Sequence, residues 1–322
     1  MRYLIYGAGT IGLTYAYLLT AHHDVDVLAL PERYEKVSQG VPLAIKDLRQ
    51  RNDTYQSTVF HPQCITSPEG YYDVILVTVN RCQLQSVLPM LAKYQPKARW
   101  IGFMQNNWHL AGEVDQYISP DDYFIAFPSS VGGGRDDHGI KVIVFPTPTR
   151  VGGIKAGAKL FMQHLKEAGV ATSYDAHLLD WMKVHYLQQS ATAGAIASSG
   201  SFSALTHDPG AIRRLIMALR DGMSLCRHQG VAVWRVFPLN VLSIMPLRVA
   251  TPIMQHALQQ PDVVDMVTGH MKHGFGEWLA GYDEVLAEGR RLGIPMTAWQ
   301  LYNSAVQRYK STALAEKQIA AG

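Results

Sequence analysis

Cysteine is scarce in this sequence of 322 residues. Its three cysteines, Cys64, Cys82 and Cys226, are odd in number and far apart. They form neither a disulfide framework nor the close spacing of a cysteine metal site, so we expect a reducing compartment and a cytoplasmic protein.

Long hydrophobic runs and an excess of charge of one sign are missing as well. The first apolar stretch, residues 3–6, ends at a glycine and is too short for a signal peptide, and no later stretch could span a bilayer. The formal net charge is only +3, and the basic residues are scattered. We therefore expect no membrane partner and no nucleic-acid partner.

The first half of the sequence alternates β-rich runs with helical patterns. Four apolar runs are typical of strands buried on both faces of a parallel sheet, at residues 3–6, 24–30, 73–79 and 100–104. Helical patterns lie between them, for example at 11–20 and 84–94. This alternation predicts a doubly wound α/β sheet. Residues 132–153 look like strands joined by tight turns, which we interpret as an antiparallel extension of that sheet.

From about residue 175 onward the strand signal almost disappears. Long helical patterns cover residues 176–197, 209–229, 262–292 and 297–319. The length suffices for two domains of ordinary size. We therefore predict a Rossmann-type dinucleotide-binding domain over residues 1–174, followed by an all-helical domain with substrate and catalytic residues over 175–322.

The strongest local motif follows the first predicted strand and opens a helix: Gly7-Ala8-Gly9-Thr10-Ile11-Gly12. Its first glycine permits a tight turn, its second lets the backbone approach a pyrophosphate, and its third allows the helix to pack closely on the strand. The helix N-terminus stabilises the phosphate charge. In a β-α-β context this motif predicts that these six residues bind a nicotinamide dinucleotide.

Whether that dinucleotide carries a 2′-phosphate stays open from these residues. Glu32 lies about twenty residues after the third glycine, where a carboxylate would bind the ribose hydroxyls of NAD. Its neighbour Arg33 could instead bind the phosphate of NADP.

Four motifs in order resemble those of the ketopantoate reductase (2-dehydropantoate 2-reductase) family. They are the glycine motif, Met104-Gln105-Asn106-Asn107, Trp181-Met182-Lys183, and Gly276-Glu277-Trp278 followed by Gly293-Ile294-Pro295. The resemblance implies NADPH-dependent reduction of a small 2-oxo acid or related ketone, in pantothenate biosynthesis for the family itself. A small-molecule substrate is the expected partner, and a homodimer stays open.

The resemblance also implies individual roles. Lys183 would be the general acid, Glu277 its carboxylate partner, and Asn106 the amide that contacts both nicotinamide and substrate. Chemistry agrees, because hydride transfer to a ketone needs a proton donor at the developing alkoxide, and a lysine whose pKa is lowered by burial can serve.

Several positions depart from the family pattern near the expected substrate. Leu187 and Ala191 replace two asparagines on the helix of the lysine. By helical periodicity Tyr186 and Ser190 are the polar groups that still share that face, so we predict that they contact substrate. Asp265 replaces a substrate-binding serine, and a carboxylate there would repel a carboxylate substrate unless it pairs elsewhere.

The expected cofactor positions depart too. Leu30 stands where the family has an arginine for the 2′-phosphate, and Asn80, with Arg81 beside it, stands where the family has a lysine. We include Leu30, Arg33 and Asn80 among the cofactor-binding residues. NADP is the family expectation, and NAD stays an alternative.

Thirteen histidines raise the question of a metal site. His22 and His23 are adjacent, and His270 and His273 share a predicted helix. Because neither pair has a third ligand at a useful spacing, the sequence predicts no bound metal.

Two other functions compete with the reductase. A catalytically weak dinucleotide sensor on the same fold would explain the lost asparagines. A dehydrogenase of an amine or amino-acid-like substrate would give Asp265 a cation to bind.

Overall fold

The computed structural model of the chain describes residues 1–50 and 53–321, without the side chains of residues 273 and 313–321. The strands in this part are β1 (Arg2–Tyr6), β2 (Asp24–Leu28), β3 (Val41–Asp47), β4 (Tyr55–Phe60), β5 (Gln63–Ile65), β6 (Tyr72–Val77), β7 (Ala98–Met104), β8 (Tyr123–Phe127), β9 (Val131–Asp136), β10 (Gly139–Val144), β11 (Thr149–Gly153) and β12 (Thr172–Tyr174). The helices are α1 (Thr10–Thr20), α2 (Pro31–Ser38), α3 (Arg81–Tyr94), α4 (Leu110–Val114), α5 (Lys155–Glu167), α6 (Leu178–Ser199), α7 (Phe202–His207), α8 (Pro209–His228), α9 (Leu239–Ile244), α10 (Leu247–Leu258), α11 (Pro261–Arg291), α12 (Thr297–Gln300) and α13 (Asn303–Ala321).

The chain divides into two compact units. The first consists of Met1–Leu179 together with Asp265–His273, and the second of Asp180–Val264 together with Gly274–Gly322. The predicted domain ranges, 1–174 and 175–322, place residues 265–273 in the second domain. In the structure these residues, which are part of α11, belong to the first unit. No helix in the described part of the chain has the length and apolarity needed to cross a bilayer.

An eight-stranded sheet forms the centre of the first unit, in the order β12-β11-β8-β7-β6-β1-β2-β5. All neighbours are parallel except β8 and β11. Strand β1 pairs with β2 on one side and with β6 on the other, so the strand order reverses there. In open α/β sheets ligands bind at the carboxyl ends of the strands at such a switch point.

The fold class predicted from the sequence is confirmed: a Rossmann-type sheet precedes a helical region. The interpretation of residues 132–153 was wrong in part. Only β11 extends the main sheet, whereas β9 and β10 form a second sheet in the order β4-β3-β10-β9. Strands β3 and β4 escaped sequence analysis. Strand β4 is mostly polar and exposed, and the apolar run of β3 is only partly buried and contains Pro42, which disfavours a strand.

Glycines of β9 let one turn of α11 contact the strand backbone. A Cβ atom at Gly134 would lie 1.9 Å from the carbonyl oxygen of Gly269, and one at Gly132 would lie 2.7 Å from the side chain of Met266. An ion pair between Lys272 and Asp136, at 3.2 Å, lies beside this contact. Residues 265–273 therefore pack on the second sheet of the first unit through the backbone of Gly269 and through side chains on both sides of it.

The second unit packs helices around large aromatic side chains. A Cβ atom at Gly194 of α6 would lie 2.9 Å from the rings of both Tyr282 and Tyr302. Trp299 is fully buried and stacks on Tyr282, with ring centroids 5.6 Å apart. The carboxylate of Asp221 accepts the backbone N–H of Trp299 at 3.2 Å. The small residues of α6 thus allow close helix packing.

We expect Gly134→Ala to destabilise the protein by about 1–3 kcal/mol, because the added methyl group would overpack the contact with Gly269. Gly112→Ala is the matched control: its Cβ meets nothing within 4 Å, and alanine in α4 should be neutral or stabilising. Chemical denaturation measures both. Equal stability of the two variants would contradict the backbone contact.

Candidate functional site

The glycine loop between β1 and α1 is held in a tight turn by backbone constraints. Gly7 has a φ of +127°, which side chains rarely permit. A Cβ atom at Gly12 would lie 2.0 Å from the carbonyl oxygen of Gly7. The hydroxyl of Thr78, just after β6, donates to that same oxygen at 2.8 Å. The first and third glycines are therefore required by the turn and by helix packing.

The second glycine has open space around it. Gly9 is the N-cap residue of α1, no side chain caps this helix end, and a Cβ atom at Gly9 would meet nothing within 4 Å. The first-turn N–H groups of α1, beginning at Thr10, can bind an anion, and the helix dipole favours a negative charge there. This combination fits a pyrophosphate.

Arginines lie beside this loop. Arg33, on the first turn of α2, donates to the carbonyl oxygen of Ala8 at 3.0 Å. Burial and the positive charge of Arg33 lower the pKa of Arg135 on β9. Leu30, at the N-cap of α2, is 60% exposed. Arg33 thus supplies a cationic group beside the loop, and its charge acts on Arg135.

Asn80 caps a helix. Its side chain accepts the backbone N–H of Gln83 at 3.1 Å, and the side chain of Gln83 accepts the backbone N–H of Asn80 at 3.2 Å. This capping box begins α3 at the carboxyl end of β6. The position expected to bind a phosphate is therefore engaged in local structure.

Buried amides follow β7. Gln105 donates to the carbonyl oxygen of Val79 at 2.7 Å, which orients its amide, and its Oε1 has no hydrogen-bond partner among the described residues. The side chain of Asn107 accepts the backbone N–H of His109 at 2.8 Å and shapes the turn before α4. Asn106 lies half-buried between them. A buried amide oxygen at the carboxyl end of the sheet is a ready acceptor for a ligand N–H group.

In the second unit, Lys183 of α6 begins a chain of polar side chains. Its ammonium group donates to Gln229 at 3.1 Å, and Gln229 donates to Glu288 at 2.6 Å. Glu288 is buried and also accepts two hydrogen bonds from Arg291, both at 2.7 Å. The lysine is therefore oriented by an amide that a buried carboxylate holds in place.

The carboxylate at the end of this chain is not the predicted one. Glu277 lies eleven residues before Glu288 on α11, which is about 16 Å along a helix axis. The structure thus links Lys183 to Glu288 through Gln229. The pairing of Lys183 with Glu277 stays a prediction.

Tyr186 and Ser190 share a face of α6, as predicted. The hydroxyl of Tyr186 donates to Glu284 at 2.6 Å. Ser190 is buried where α6 crosses α11, since a Cβ atom at Gly281 would lie 2.5 Å from its hydroxyl oxygen. Both residues contact α11, and Tyr186 shares a strong hydrogen bond with a carboxylate.

Asp265 is paired within the first unit. Its carboxylate accepts from Tyr55 at 3.2 Å and lies 3.5 Å from the ammonium of Lys141. The like-charge conflict expected with a carboxylate substrate is therefore offset by a cation beside it.

Sequence analysis missed several polar partners in both units: Thr78, Gln105 as an acceptor, Arg135, Gln229, Glu284 and Glu288. Thr78 follows directly after β6 and Gln105 directly after β7, both strands predicted from the sequence, so they could have been identified as candidate site residues. Glu288 and Gln229 gave no such signal, because neither belongs to a motif.

Residues 3–155 match the family described as ketopantoate reductase PanE/ApbA. These residues belong to the ketopantoate reductase family. The resemblance recognised from the sequence motifs is thereby confirmed. A search of curated proteins finds no match to the chain.

Solved structures share the fold of this chain at low identity. A ternary structure of D-mandelate dehydrogenase with NADH and anilino(oxo)acetate has a TM-score of 0.76 at 10% identity, covering 97% of this chain and 99% of that one. A PanE/ApbA family ketopantoate reductase from Ralstonia eutropha JMP134 has a TM-score of 0.71 at 15% identity, covering 97% and 99%. A 2-dehydropantoate 2-reductase from Geobacter metallireducens GS-15 has 0.67 at 15%, covering 96% and 100%.

We expect Gly9→Asp to fold normally and to lose binding of both NADH and NADPH. A carboxylate about 4 Å from a phosphate, at an effective dielectric constant of about 20, costs about 4 kcal/mol, or roughly a thousandfold in affinity. Gly9→Ala, which adds no charge, should lose much less. Fluorescence titration measures both variants, and unchanged binding by Gly9→Asp would place the nucleotide elsewhere.

Proposed function

We propose that this protein is an NAD(P)H-dependent reductase of a small 2-oxo acid or related ketone. The observation that carries the proposal is the glycine loop, with open space at Gly9 and an uncapped helix N-terminus, in a domain of the ketopantoate reductase family. The structural neighbour described with NADH and anilino(oxo)acetate favours an oxo acid.

The described residues fit a nicotinamide dinucleotide. The first-turn N–H groups of α1 would hold the pyrophosphate. Arg33 and Arg135 would meet the adenosine end of the cofactor, and Gln105 offers a buried amide oxygen to the nicotinamide end. The bound cofactor would supply the hydride that the carbonyl carbon receives.

Lys183 would supply the proton. As hydride reaches the carbonyl carbon, negative charge develops on the oxygen, and the ammonium of Lys183 donates a proton there to form the hydroxyl group. Gln229 and Glu288 keep this ammonium in one orientation, which favours the proton transfer by positioning.

The contacts of Asp265 do not favour the alternative of an amine substrate. Its pairing with Lys141 and Tyr55 gives the carboxylate a cation and a hydroxyl from the protein itself. A 2-oxo acid is therefore the preferred substrate class over an amine or amino acid.

Oxidation of NADPH and NADH with a panel of 2-oxo acids tests the proposal. With an active substrate in hand, Lys183→Ala should lower turnover by about 10²–10⁴-fold, the usual contribution of general acid catalysis, and leave nucleotide affinity nearly unchanged. Lys159→Ala, an exposed lysine of α5, is the matched control and should keep full activity. A rate within a few-fold of wild type in Lys183→Ala would remove the lysine from the mechanism.

A full panel without cofactor oxidation, alongside tight nucleotide binding, would favour the alternative of a dinucleotide sensor. The catalytic proposal would then be abandoned, while the nucleotide site would stand.

Arg33 should select NADPH. A charge-assisted hydrogen bond contributes about 1.5–3 kcal/mol, so Arg33→Ala should weaken NADPH binding by about 10- to 150-fold and NADH binding much less. Glu32→Gln is the comparison variant at the neighbouring position. If Glu32 binds the ribose hydroxyls instead, Glu32→Gln will weaken NADH selectively and Arg33→Ala will not discriminate. Dissociation constants of both nucleotides for both variants decide between the two.

A further inference from the structure

Two histidines and a glutamate meet in the first unit, outside the site described above. His23 lies in the turn between α1 and β2, and His164 and Glu167 lie on the last turn of α5. Each side chain offers a ligand atom within 4.8 Å of the others. We propose that His23, His164 and Glu167 bind one divalent transition-metal ion of the zinc class.

Burial of the two imidazoles supports a built site. The side chain of His23 is only 5% exposed and His164 only 3%. The Nε2 atom of His23 is buried and has no hydrogen-bond partner among the described residues, and it lies 3.5 Å from the carboxylate of Glu167. Buried polar nitrogens are nearly always paired, so this atom calls for a partner. A metal ion between the three side chains is such a partner.

Tyr3 orients the second histidine. Its hydroxyl lies 2.6 Å from Nδ1 of His164, in a buried hydrogen bond. This contact fixes the orientation of the imidazole ring. Metal-binding histidines in proteins typically have one ring nitrogen held in this way.

The donor set indicates which ion fits. Two imidazoles and one carboxylate are ligands of zinc in proteins, at about 2.0–2.2 Å from the metal. Glu167, with its side chain 41% exposed, can move by the roughly one ångström that ligation requires. Its exposure leaves a fourth position open to water.

This site is distinct from the nucleotide site. Tyr3 and His23 lie at the amino ends of β1 and β2, whereas the glycine loop follows the carboxyl end of β1. Along the strand, Tyr3 and Gly7 are about 13 Å apart. A metal here would join the turn after α1 to the end of α5, and so would stabilise the first unit without taking part in hydride transfer.

Titration of the full-length, chelator-treated protein with zinc chloride tests the proposal. We expect one zinc ion bound per chain, with a rise in melting temperature that grows with zinc concentration, since an ion that binds only the folded state stabilises it. Absence of stoichiometric binding would overturn the proposal.

Variants locate the ion. Tyr3→Phe, which removes only the hydroxyl next to His164, should weaken zinc binding by about 10- to 100-fold, and Glu167→Gln and His23→Gln should weaken it more. Glu167→Gln changes a half-exposed side chain and is expected to stay folded, as circular dichroism would check. His138→Ala, in an exposed turn, is the matched control and should bind zinc normally. Zinc affinity unchanged in Glu167→Gln and His23→Gln would place the ion elsewhere and refute the site.

Discussion

The geometry of the glycine loop in the first unit depends on a close backbone contact between Gly7 and Gly12. Helix α1 starts so close to the end of β1 that a Cβ atom at Gly12 would lie 2.0 Å from the carbonyl oxygen of Gly7. The same carbonyl accepts the hydroxyl of Thr78, so the turn, the helix and β6 meet at one oxygen atom. The position of the α1 N-terminus, and with it the site for a pyrophosphate, follows from that arrangement.

Features encoded within a short segment could be predicted from the sequence. The strands β1, β2, β6 and β7 are buried on both faces, and their apolar runs marked them to within about two residues. The glycine loop was equally local. Strand β4 lacks such a run, and the run of β3 is interrupted by Pro42. The glycines of β9 contact a helix that returns from much later in the chain.

Partners that come from distant segments could not be predicted. Lys183 was identified from a motif, but its neighbour Gln229 and the buried Glu288 come from other helices with no motif of their own. His23 was dismissed as a metal ligand because nothing near it in the sequence could complete a site. The sheet and α5 bring His164 and Glu167 to it, which only the fold can reveal.

The side-chain amide of Gln229, which lies between Lys183 and Glu288, affects how Lys183 would be reprotonated after each turnover of the proposed reaction. A carboxamide accepts a hydrogen bond from the lysine and donates one to the glutamate, yet it does not ionise near neutral pH and passes no proton between them. Glu288 can therefore influence the lysine only through charge and geometry. Between turnovers Lys183 must recover its proton from water or from another acid, so the availability of solvent protons, and not the carboxylate, would govern how fast the general acid is restored.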